Sequence, residues 1–426
     1  MTALPAARTG DRTLMREMNV GLVINAIRRH EPIYRADVAA RTGLSRATVT
    51  EITAQLLAQG WIHEVGLGES ARGRRPVLLR LNRDSRFCVG VKIGPDLVSA
   101  AVGDLGANLF PTVSLPVQTR GSAYVIDLVE ECYRSALAVA GVDPDNVVGL
   151  GVVLPGVVDH DAGTSVAAPL ISWSNVPLRL VLQERLGIPV FLENDANAFA
   201  LSEYEYGAGR GHTHVVGVTL GVGIGAGIVL DGRIYRGSRF GAGELGHMNV
   251  LPGGPQCGCG RRGCLEAVAG DDAIARMAAE EVRGGEMPVA RDLVAGDAAK
   301  ITRQIVVEAA RSGDPKAVEV LRRSGEWIGS GLANVVNLLN PEVIVVGGEL
   351  LEQAGDLILG PVREAVYRGT FTVLGNELEV VGTALGETSW LIGAVTLVLQ
   401  EVFRMPVAAH GAASPIALVT GLGGTT

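Results

Sequence analysis

The chain has 426 residues, of which 47% are hydrophobic and 19% are charged, and its net charge is −8. This composition excludes a largely disordered chain, and the length allows two or three domains with separate cores. Uncharged apolar runs of about 18 residues are lacking, so no membrane span is predicted. Three of the five cysteines are clustered, which does not suit a disulfide framework, and residues 1–12 lack an apolar signal region. We therefore expect a cytoplasmic protein.

The charge is divided unevenly along the chain. Residues 1–86 contain 14 arginines and 8 acidic residues, whereas the rest contains 23 basic and 37 acidic residues. A basic head of net charge +6 therefore precedes an acidic body of net charge −14. This asymmetry makes phosphate a plausible partner for the head and an unsuitable one for most of the body.

The head begins with three predicted helices. The first covers residues 13–30, the second covers 35–41, and the third covers 45–59 with Ser45 as its N-cap. Gly43 supplies the tight turn between the second and third helices. The apolar stripe of the first helix consists of Leu14, Met18, Leu22, Ile24 and Ile27.

This order of elements is typical of a helix-turn-helix, whose second helix lies in the major groove of DNA. Predicted strands at 61–65 and 77–81 follow as a hairpin with an arginine-rich connection, which indicates a basic wing that meets phosphate. We assign residues 13–82 to a winged helix-turn-helix domain after a flexible segment at 1–12; the alternative is a small helical domain with a solvated arginine loop. The candidate DNA contacts are Arg35, Ser45, Arg46, Thr48, Thr50, Arg72, Arg74 and Arg75.

The body, residues 87–404, alternates short apolar runs that end in glycine with helical segments. This pattern predicts an α/β body in two lobes around a cleft. Residues 405–426 form a low-complexity tail with no assigned role. The predicted strands cover 88–94 and 97–102 as a hairpin, 147–154, 190–192, 215–220 and 343–346, and the predicted helices include 123–140, 301–311, 316–339 and 388–403.

A polar segment, Glu193-Asn194-Asp195-Ala196-Asn197, follows the strand at 190–192. An amide beside a carboxylate suits adjacent sugar hydroxyls because the pair offers both donors and acceptors. The alternative is structural, with Asp195 as the N-cap of a helix that opens at Ala196. Asp195 can also serve both purposes.

The densest chemical signal lies between Glu244 and Glu266. Three cysteines fall within eight residues, with a histidine ten positions before the first of them. Such a set predicts a tetrahedral Cys3His zinc site at His247, Cys257, Cys259 and Cys264. The two carboxylates flank these ligands, so a metal that fixes the loop also fixes them. The alternative is a zinc knuckle with a folding role only.

The motifs Glu193 to Asn197, Glu244 to His247, Cys257 to Gly260 and Gly263 to Glu266 together resemble the ROK family of bacterial sugar kinases and sugar-responsive repressors. The resemblance covers nearly the whole chain, because the regulator branch carries an N-terminal winged helix-turn-helix. It implies a hexokinase-like and actin-like (ribonuclease H-like) body with one structural Zn2+ per chain. It also implies a sugar-binding set composed of Gly156, Asn175, Asn194, Asp195, Glu244, His247 and Glu266.

In kinases of that family Asp195 would be the general base. The family's first phosphate loop has the pattern Asp-x-Gly-x-Thr, whereas this chain has Lys92-Ile93-Gly94-Pro95-Asp96. Lys92 replaces the acid of the pattern. Pro95 fixes φ and removes a hydrogen-bond donor, and Asp96 replaces the threonine with a carboxylate that faces phosphate. We therefore expect a non-enzyme with a vestigial base, in which the glycine-rich loop 219–227 persists as a hairpin that joins the lobes.

The resulting hypothesis is a transcription regulator, most simply a repressor, with a sugar in the cleft that changes the spacing of the DNA-binding heads. Its expected partners are a double-stranded DNA operator with an inverted repeat, a sugar effector, and a second copy in a homodimer or tetramer. Two alternatives remain open: a sugar kinase that also binds DNA, and a regulator whose cleft has lost its ligand.

Overall fold

The computed structural model describes residues 12–67 and 77–403. Its first part contains three helices and a three-stranded antiparallel sheet in the order β1-β3-β2. The predicted helices and hairpin are confirmed, and the short strand β1 was not predicted. The elements are α1 Arg12–His30, β1 Ile33–Tyr34, α2 Arg35–Thr42, α3 Arg46–Ala58, β2 Ile62–Leu67 and β3 Val77–Leu81.

The α2-turn-α3 unit follows the predicted local chemistry. Gly43 has φ of 70°, and its N–H donates to the carbonyl of Ala39, which closes α2. Ser45 caps α3 because its Oγ accepts a hydrogen bond from Thr48 N at 3.1 Å. Val49, Ile52 and Leu56 are buried as predicted, whereas Arg46, Ala47, Thr50 and Glu51 are exposed.

The predicted apolar stripe of α1 is partly wrong. Met18 is 37% exposed, whereas Val20 and Val23 are buried beside Ile24 and Ile27. The predicted stripe treated α1 as packed on one side only. The end of the helix is instead enclosed by both the head and the body, which widens its apolar face.

The first lobe of the body is built on a five-stranded mixed sheet in the order β11-β7-β4-β5-β6. The predicted hairpin of β4 and β5 is confirmed, and β7 lies parallel to both β4 and β11. A smaller sheet, β10-β9-β8, extends from the end of β7. The elements are β4 Phe87–Ile93, β5 Leu97–Asp104, β6 Val113–Pro116, α4 Ser122–Ala140, β7 Val147–Leu154, β8 Val157–Asp159, β9 Thr164–Ala168, β10 Trp173–Val176, α5 Leu178–Leu186 and β11 Val190–Asn194.

The second lobe contains another five-stranded sheet, in the order β14-β13-β12-β15-β16. A large apolar core covers one face of it, to which most of the helices between α7 and α13 contribute. The elements are α6 Asp195–Tyr206, β12 Val215–Leu220, β13 Ile224–Leu230, β14 Arg233–Ile234, α7 Leu265–Ala269, α8 Asp271–Arg283, α9 Pro288–Leu293, α10 Arg303–Arg311, α11 Pro315–Leu339, β15 Val343–Gly347, α12 Glu349–Ala354, α13 Asp356–Gly369, α14 Thr372–Gly375, β16 Glu379–Gly382 and α15 Ser389–Val402.

Helices α6 and α15 lie between the two large sheets and contact each other. Helix α15 approaches β7 so closely that a Cβ on Gly151 would lie 1.9 Å from the carbonyl oxygen of Ala394. The absence of a side chain at this position therefore permits the packing. This central pair of helices connects the lobes and carries the first residues of the candidate site at the start of α6.

The head and the body share a buried apolar cluster, which includes Trp61, Leu105 and Val398. The ring of Phe403, just past α15, meets Trp61 edge to face at 6.4 Å and lies 5.3 Å from the guanidinium of Arg28. The carbonyl of Phe403 also accepts a hydrogen bond from Asn25 Nδ2 at 2.8 Å. The C-terminal end of α15 is therefore anchored in the head. None of the helices in the described residues is long and apolar enough to cross a membrane.

Candidate functional site

The first wall of the site is formed where β11 ends and α6 begins. The N-cap of α6 is Asn194, whose Oδ1 accepts from Asn197 N at 3.1 Å, so the structural alternative, with Asp195 as the N-cap, was wrong by one residue. Asp195 is the first helical residue, and its Oδ1 accepts from Ala196 N at 2.9 Å and from Asn194 Nδ2 at 3.2 Å. The amide and the carboxylate are thus held together as one polar unit.

The loop at Gly156 holds the Asn194 amide through a second hydrogen bond. Asn194 Nδ2 also donates to the carbonyl of Gly156 at 2.9 Å. Gly156 has φ of 86°, and a Cβ there would lie 2.2 Å from the carbonyl oxygen of Ala167. Only glycine fits both the backbone conformation and the space, so the loop after β7 can reach Asn194.

The second wall comes from the other lobe and contains Glu244, His247 and Glu266. His247 Nε2 lies 3.9 Å from Glu244 Oε2, while the opposite ring nitrogen, Nδ1, lies 3.7 Å from Cys257 Sγ. Glu266 is fixed from two sides, because its Oε2 accepts from Ile224 N at 3.2 Å and its Oε1 lies 3.8 Å from Cys257 Sγ. Each ring nitrogen of His247 therefore has a separate neighbour, a thiol on one side and a carboxylate on the other.

The four predicted metal ligands converge in the structure. One ligand atom from each of His247, Cys257, Cys259 and Cys264 lies within 4.8 Å of the other three. Tetrahedral zinc with Zn–S bonds of about 2.3 Å places its sulfurs about 3.8 Å apart. Cys259 Sγ and Cys264 Sγ are 3.7 Å apart, which matches that spacing. The structure thus brings together a group that can hold a metal.

The two walls enclose a cavity of about 460 Å3. Six of the predicted effector residues line it, namely Gly156, Asn194, Asp195, Glu244, His247 and Glu266. A cavity of this size has room for a monosaccharide and a substituent. Sequence analysis missed several lining residues that come from separated segments and carry no motif, namely Arg120, Pro169, Leu170 and Phe240.

Two carboxylates that line the cavity, one on each wall, have raised pKa values. Burial raises the pKa of Asp195, while the nearby Lys92 ammonium opposes that shift. Burial also raises the pKa of Glu244, which His247 opposes. The carboxylates of Asp195, Glu244 and Glu266 all line this cavity. A neutral ligand with several hydroxyl groups therefore suits it better than an anion beside these carboxylates.

Two predicted site residues lie elsewhere. Asn175 is exposed and does not line the cavity; it lies within β10 with φ of 51°, and its Nδ2 donates to Ser174 Oγ at 3.5 Å. Arg35 lies at the start of α2 instead of α3, and it donates to Glu64 at 2.9 Å and to Thr53 Oγ1 at 3.1 Å.

The remaining candidate DNA contacts divide into two groups. The first group lies at the start of α3, where Arg46 and Thr50 are exposed and the Ser45 and Thr48 hydroxyls are 2.8 Å apart. The second group, composed of Arg72, Arg74 and Arg75, lies outside the described residues.

Residues 92–96 and 219–227 are the two loops that would surround a nucleotide, and the second of them differs from its prediction. The ammonium of Lys92, at the end of β4, lies 3.7 Å from the ring centroid of Trp390. The glycine-rich loop 219–227 forms the hairpin of β12 and β13, but both strands belong to the sheet of the second lobe, so the prediction that it joins the lobes was wrong. Its glycines instead let α6 pack closely, since a Cβ on Gly227 would lie 2.2 Å from the carbonyl oxygen of Ala196.

The fold and the site together define a two-lobed, actin-like body with a sugar-kinase type of cleft, joined to a helix-turn-helix head. The ROK family profile matches residues 88–401, and the chain belongs to the ROK family. The chain is 29% identical over 398 residues to a xylose repressor of Caldicellulosiruptor bescii. The aligned region covers 93% of this chain and 99% of that protein.

Two solved structures show how far the likeness extends. A ROK family transcriptional regulator, described as a homologue of the Escherichia coli MLC protein, aligns with a TM-score of 0.81 and 28% identity over 96% of this chain and 100% of that one. A ROK family glucokinase from Streptomyces griseus, solved with glucose and AMPPNP, aligns with a TM-score of 0.66 and 34% identity over 73% of this chain and 98% of that one. The likeness to the regulator therefore extends over more of this chain than the likeness to the kinase.

Proposed function

We propose that this protein is a DNA-binding transcription regulator, a repressor of carbohydrate genes, whose affinity for its operator is controlled by a sugar in the cavity. One observation carries the proposal: the same chain joins an exposed recognition-helix start to a cavity lined by hydroxyl acceptors. The similarity to a xylose repressor over 99% of that protein's length supports it.

The DNA contacts are assigned to Ser45, Arg46, Thr48 and Thr50 at the start of α3, together with Arg72, Arg74 and Arg75, which the sequence predicts to form a basic wing. In helix-turn-helix proteins the N-terminal residues of the second helix meet base edges. Arg35 is left out of this set because Glu64 and Thr53 already occupy its guanidinium. Two heads in a homodimer, or a tetramer built from such dimers, would read an inverted repeat with half-sites about one helical turn apart.

The effector is a sugar or sugar derivative held between the two walls. Asn194 and Asp195 contact it from the first lobe, with Gly156 at its edge, and the groups from the second lobe approach from the opposite side. Asp195 Oδ1 already accepts two protein hydrogen bonds, so Oδ2 is the oxygen left for a sugar hydroxyl. The second-lobe contacts are Glu244, His247 and Glu266.

The metal bound by His247 and the three cysteines is Zn2+, one per chain, with a structural role. Zinc prefers this mixture of thiolate and imidazole ligands. The ion would hold the segment from His247 to Cys264 in place, and this segment positions Glu244 and Glu266. His247 then uses Nδ1 for the metal side and Nε2 for the cavity side.

The nucleotide side of the cleft argues against phosphoryl transfer. Kinase chemistry needs a carboxylate to hold the metal of the nucleotide at the first phosphate loop. Lys92 stands at that point instead, and its ammonium is stacked on Trp390. With a fixed cation there, Asp195 serves as a sugar acceptor with no phosphoryl donor to act on. The protein is therefore a sensor and not a kinase.

Helix α15 offers a route from the cleft to the head. Its first residues contact the elements that carry the cleft, since Trp390 meets Lys92 of β4 and the Ser389 hydroxyl donates to the buried Glu203 of α6 at 3.2 Å. Its far end is fixed to the head through Phe403. Closure of the lobes around a sugar would shift this helix and with it the head, so that two heads no longer match the half-sites.

The proposal is tested with full-length protein by calorimetry against xylose, glucose, N-acetylglucosamine and glucose 6-phosphate. At least one sugar should bind, and the same sugar should weaken binding to the operator in a mobility-shift assay. Absence of binding to every sugar would contradict the effector role. A coupled assay with ATP and the binding sugar should give no turnover above background, whereas turnover at a rate typical of enzymes would favour the kinase alternative.

The DNA contacts are tested by Arg46→Ala, with Arg233→Ala as the matched control. Arg233 is also exposed but lies in β14, far along the chain from α3. Loss of one phosphate contact should reduce the slope of log affinity against log salt by about one unit, whereas loss of a base contact should reduce specificity. If Arg46→Ala changes neither, the start of α3 does not meet DNA.

A further inference from the structure

A buried ion pair outside the ligand-facing set connects the two walls of the cavity. Glu193, on β11, is only 1% exposed, and its Oε2 accepts from Arg236 Nε at 2.7 Å and from the terminal Nη2 at 2.5 Å. Arg236 lies two residues after β14 of the second lobe, so the pair spans the two lobes. Because both are largely withdrawn from water, the pair holds a defined geometry better than an exposed pair would.

The other oxygen of Glu193 holds the first wall of the cavity. Its Oε1 accepts from the backbone N–H of Asn194 at 3.0 Å and from Asn197 Nδ2 at 2.9 Å. These two residues form the first turn of α6, which presents Asp195. One carboxylate therefore ties the sugar-facing end of α6 to Arg236.

Arg236 in turn begins the loop that covers the cavity, which we name the cover loop, residues 236–243. Its carbonyl accepts from Ala242 N at 3.1 Å, which closes the base of the loop. Phe240, Ala242 and Gly243 line the cavity, and Glu244 follows directly. Ser238, Arg239 and Gly241 of this loop are exposed, and the Arg236 side chain attaches the loop to Glu193 of the opposite lobe.

We propose that Arg236 is a positioning residue for the effector site, which fixes the cover loop over the cavity through Glu193. The proposal rests on the proposed sugar binding. The pair sets the distance between Asp195 on one wall and Glu244 on the other, without a contact to the sugar itself. Without it the cover loop would lose its tie to β11, and the two walls would no longer approach the sugar together.

The choice of variants must separate positioning from stability. Arg236→Met alone leaves a buried carboxylate without its cation, which destabilises the fold, and His160, with Nδ1 at 3.8 Å, is the remaining basic group near it. The double variant Glu193→Gln with Arg236→Met removes both charges and avoids that penalty. Arg233→Met, an exposed arginine three residues earlier, is the matched control.

The first readout is the affinity for the binding sugar, measured by calorimetry together with zinc content and thermal midpoint. We expect both Arg236→Met and the double variant to weaken sugar binding at least about tenfold, because positioned groups must be held close to their productive geometry. The control should stay within about twofold of the parent protein. If the double variant regains the parent affinity, the pair acts only through stability and the proposal is overturned.

The second readout needs no sugar. Trypsin can cut after the exposed Arg239 inside the cover loop, and the cut is identified by mass spectrometry of the full-length protein. Cleavage at Arg239 should be at least about tenfold faster in the double variant than in the parent or in Arg233→Met, since release of the loop exposes its backbone. Unchanged cleavage would overturn the proposal. If the parent protein binds no sugar, the proposed function fails, and the cleavage rate alone decides the role of Arg236.

Discussion

Replacement of Asp195 by asparagine is the sharpest test of the sugar site, because the change removes a charge but almost no volume. In the native protein Oδ1 accepts from Ala196 N and Asn194 Nδ2, both of which the asparagine carbonyl oxygen can still satisfy. The altered atom is therefore the one assigned to the sugar. Unlike alanine, asparagine leaves the first turn of α6 with its hydrogen bonds.

The magnitude follows from the kind of bond that is lost. A hydrogen bond to a charged acceptor contributes about 1.5–3 kcal/mol, whereas a neutral amide in the wrong orientation contributes little. This loss corresponds to a sugar dissociation constant about 10 to 150 times higher. The thermal midpoint should change little. Burial raises the pKa of Asp195, so removal of its charge relieves a desolvation cost, but the same change leaves the buried Lys92 ammonium without a counter-charge, and the two effects oppose each other.

The assay is calorimetry with the sugar identified for the parent protein, with Asp161→Asn as the control. Asp161 lies in the turn between β8 and β9, is exposed and does not line the cavity. The control should bind the sugar like the parent. If Asp195→Asn binds within twofold of the parent while remaining folded, Asp195 is not a hydroxyl acceptor, and the assignment of this wall is refuted.

Three further predictions concern the metal, the head and the connection between head and body. Elemental analysis should find one zinc per chain, and Cys264→Ser should lose both the metal and sugar binding, because the ligand set also positions Glu266; retained sugar binding without zinc would contradict the shared scaffold. Ser45→Ala removes the N-cap of α3 and should lower the free energy of unfolding by about 1 kcal/mol, with weaker operator binding, while Ser135→Ala, a partly buried position in α4 of the body, should leave operator binding unchanged. Phe403→Ala should cost about 3–5 kcal/mol as measured by denaturant unfolding and should uncouple sugar binding from operator release; sugar that still releases the operator would rule out α15 as the route.

The sequence by itself determined features that depend on local chemistry. The turn at Gly43, the cap at Ser45, the strands β4, β7 and β12, and the close spacing of Cys257, Cys259 and Cys264 were all readable, because each depends on residues near one another in the chain. The metal group is the clearest case, since short spacing restricts which ligands can meet.

The tertiary structure decided what depends on distant segments. In the folded chain Arg35 donates hydrogen bonds to Glu64 and Thr53, and Asn175 lies outside the cavity. The tertiary structure placed Val20 and Val23 of α1 in a core shared by the head and the body. It also brought Arg236 to Glu193 across two lobes, which no local pattern indicates. The physical reason is that burial and ion pairing are properties of the packed lobes, and residues 43 positions apart carry no periodicity that could reveal their contact.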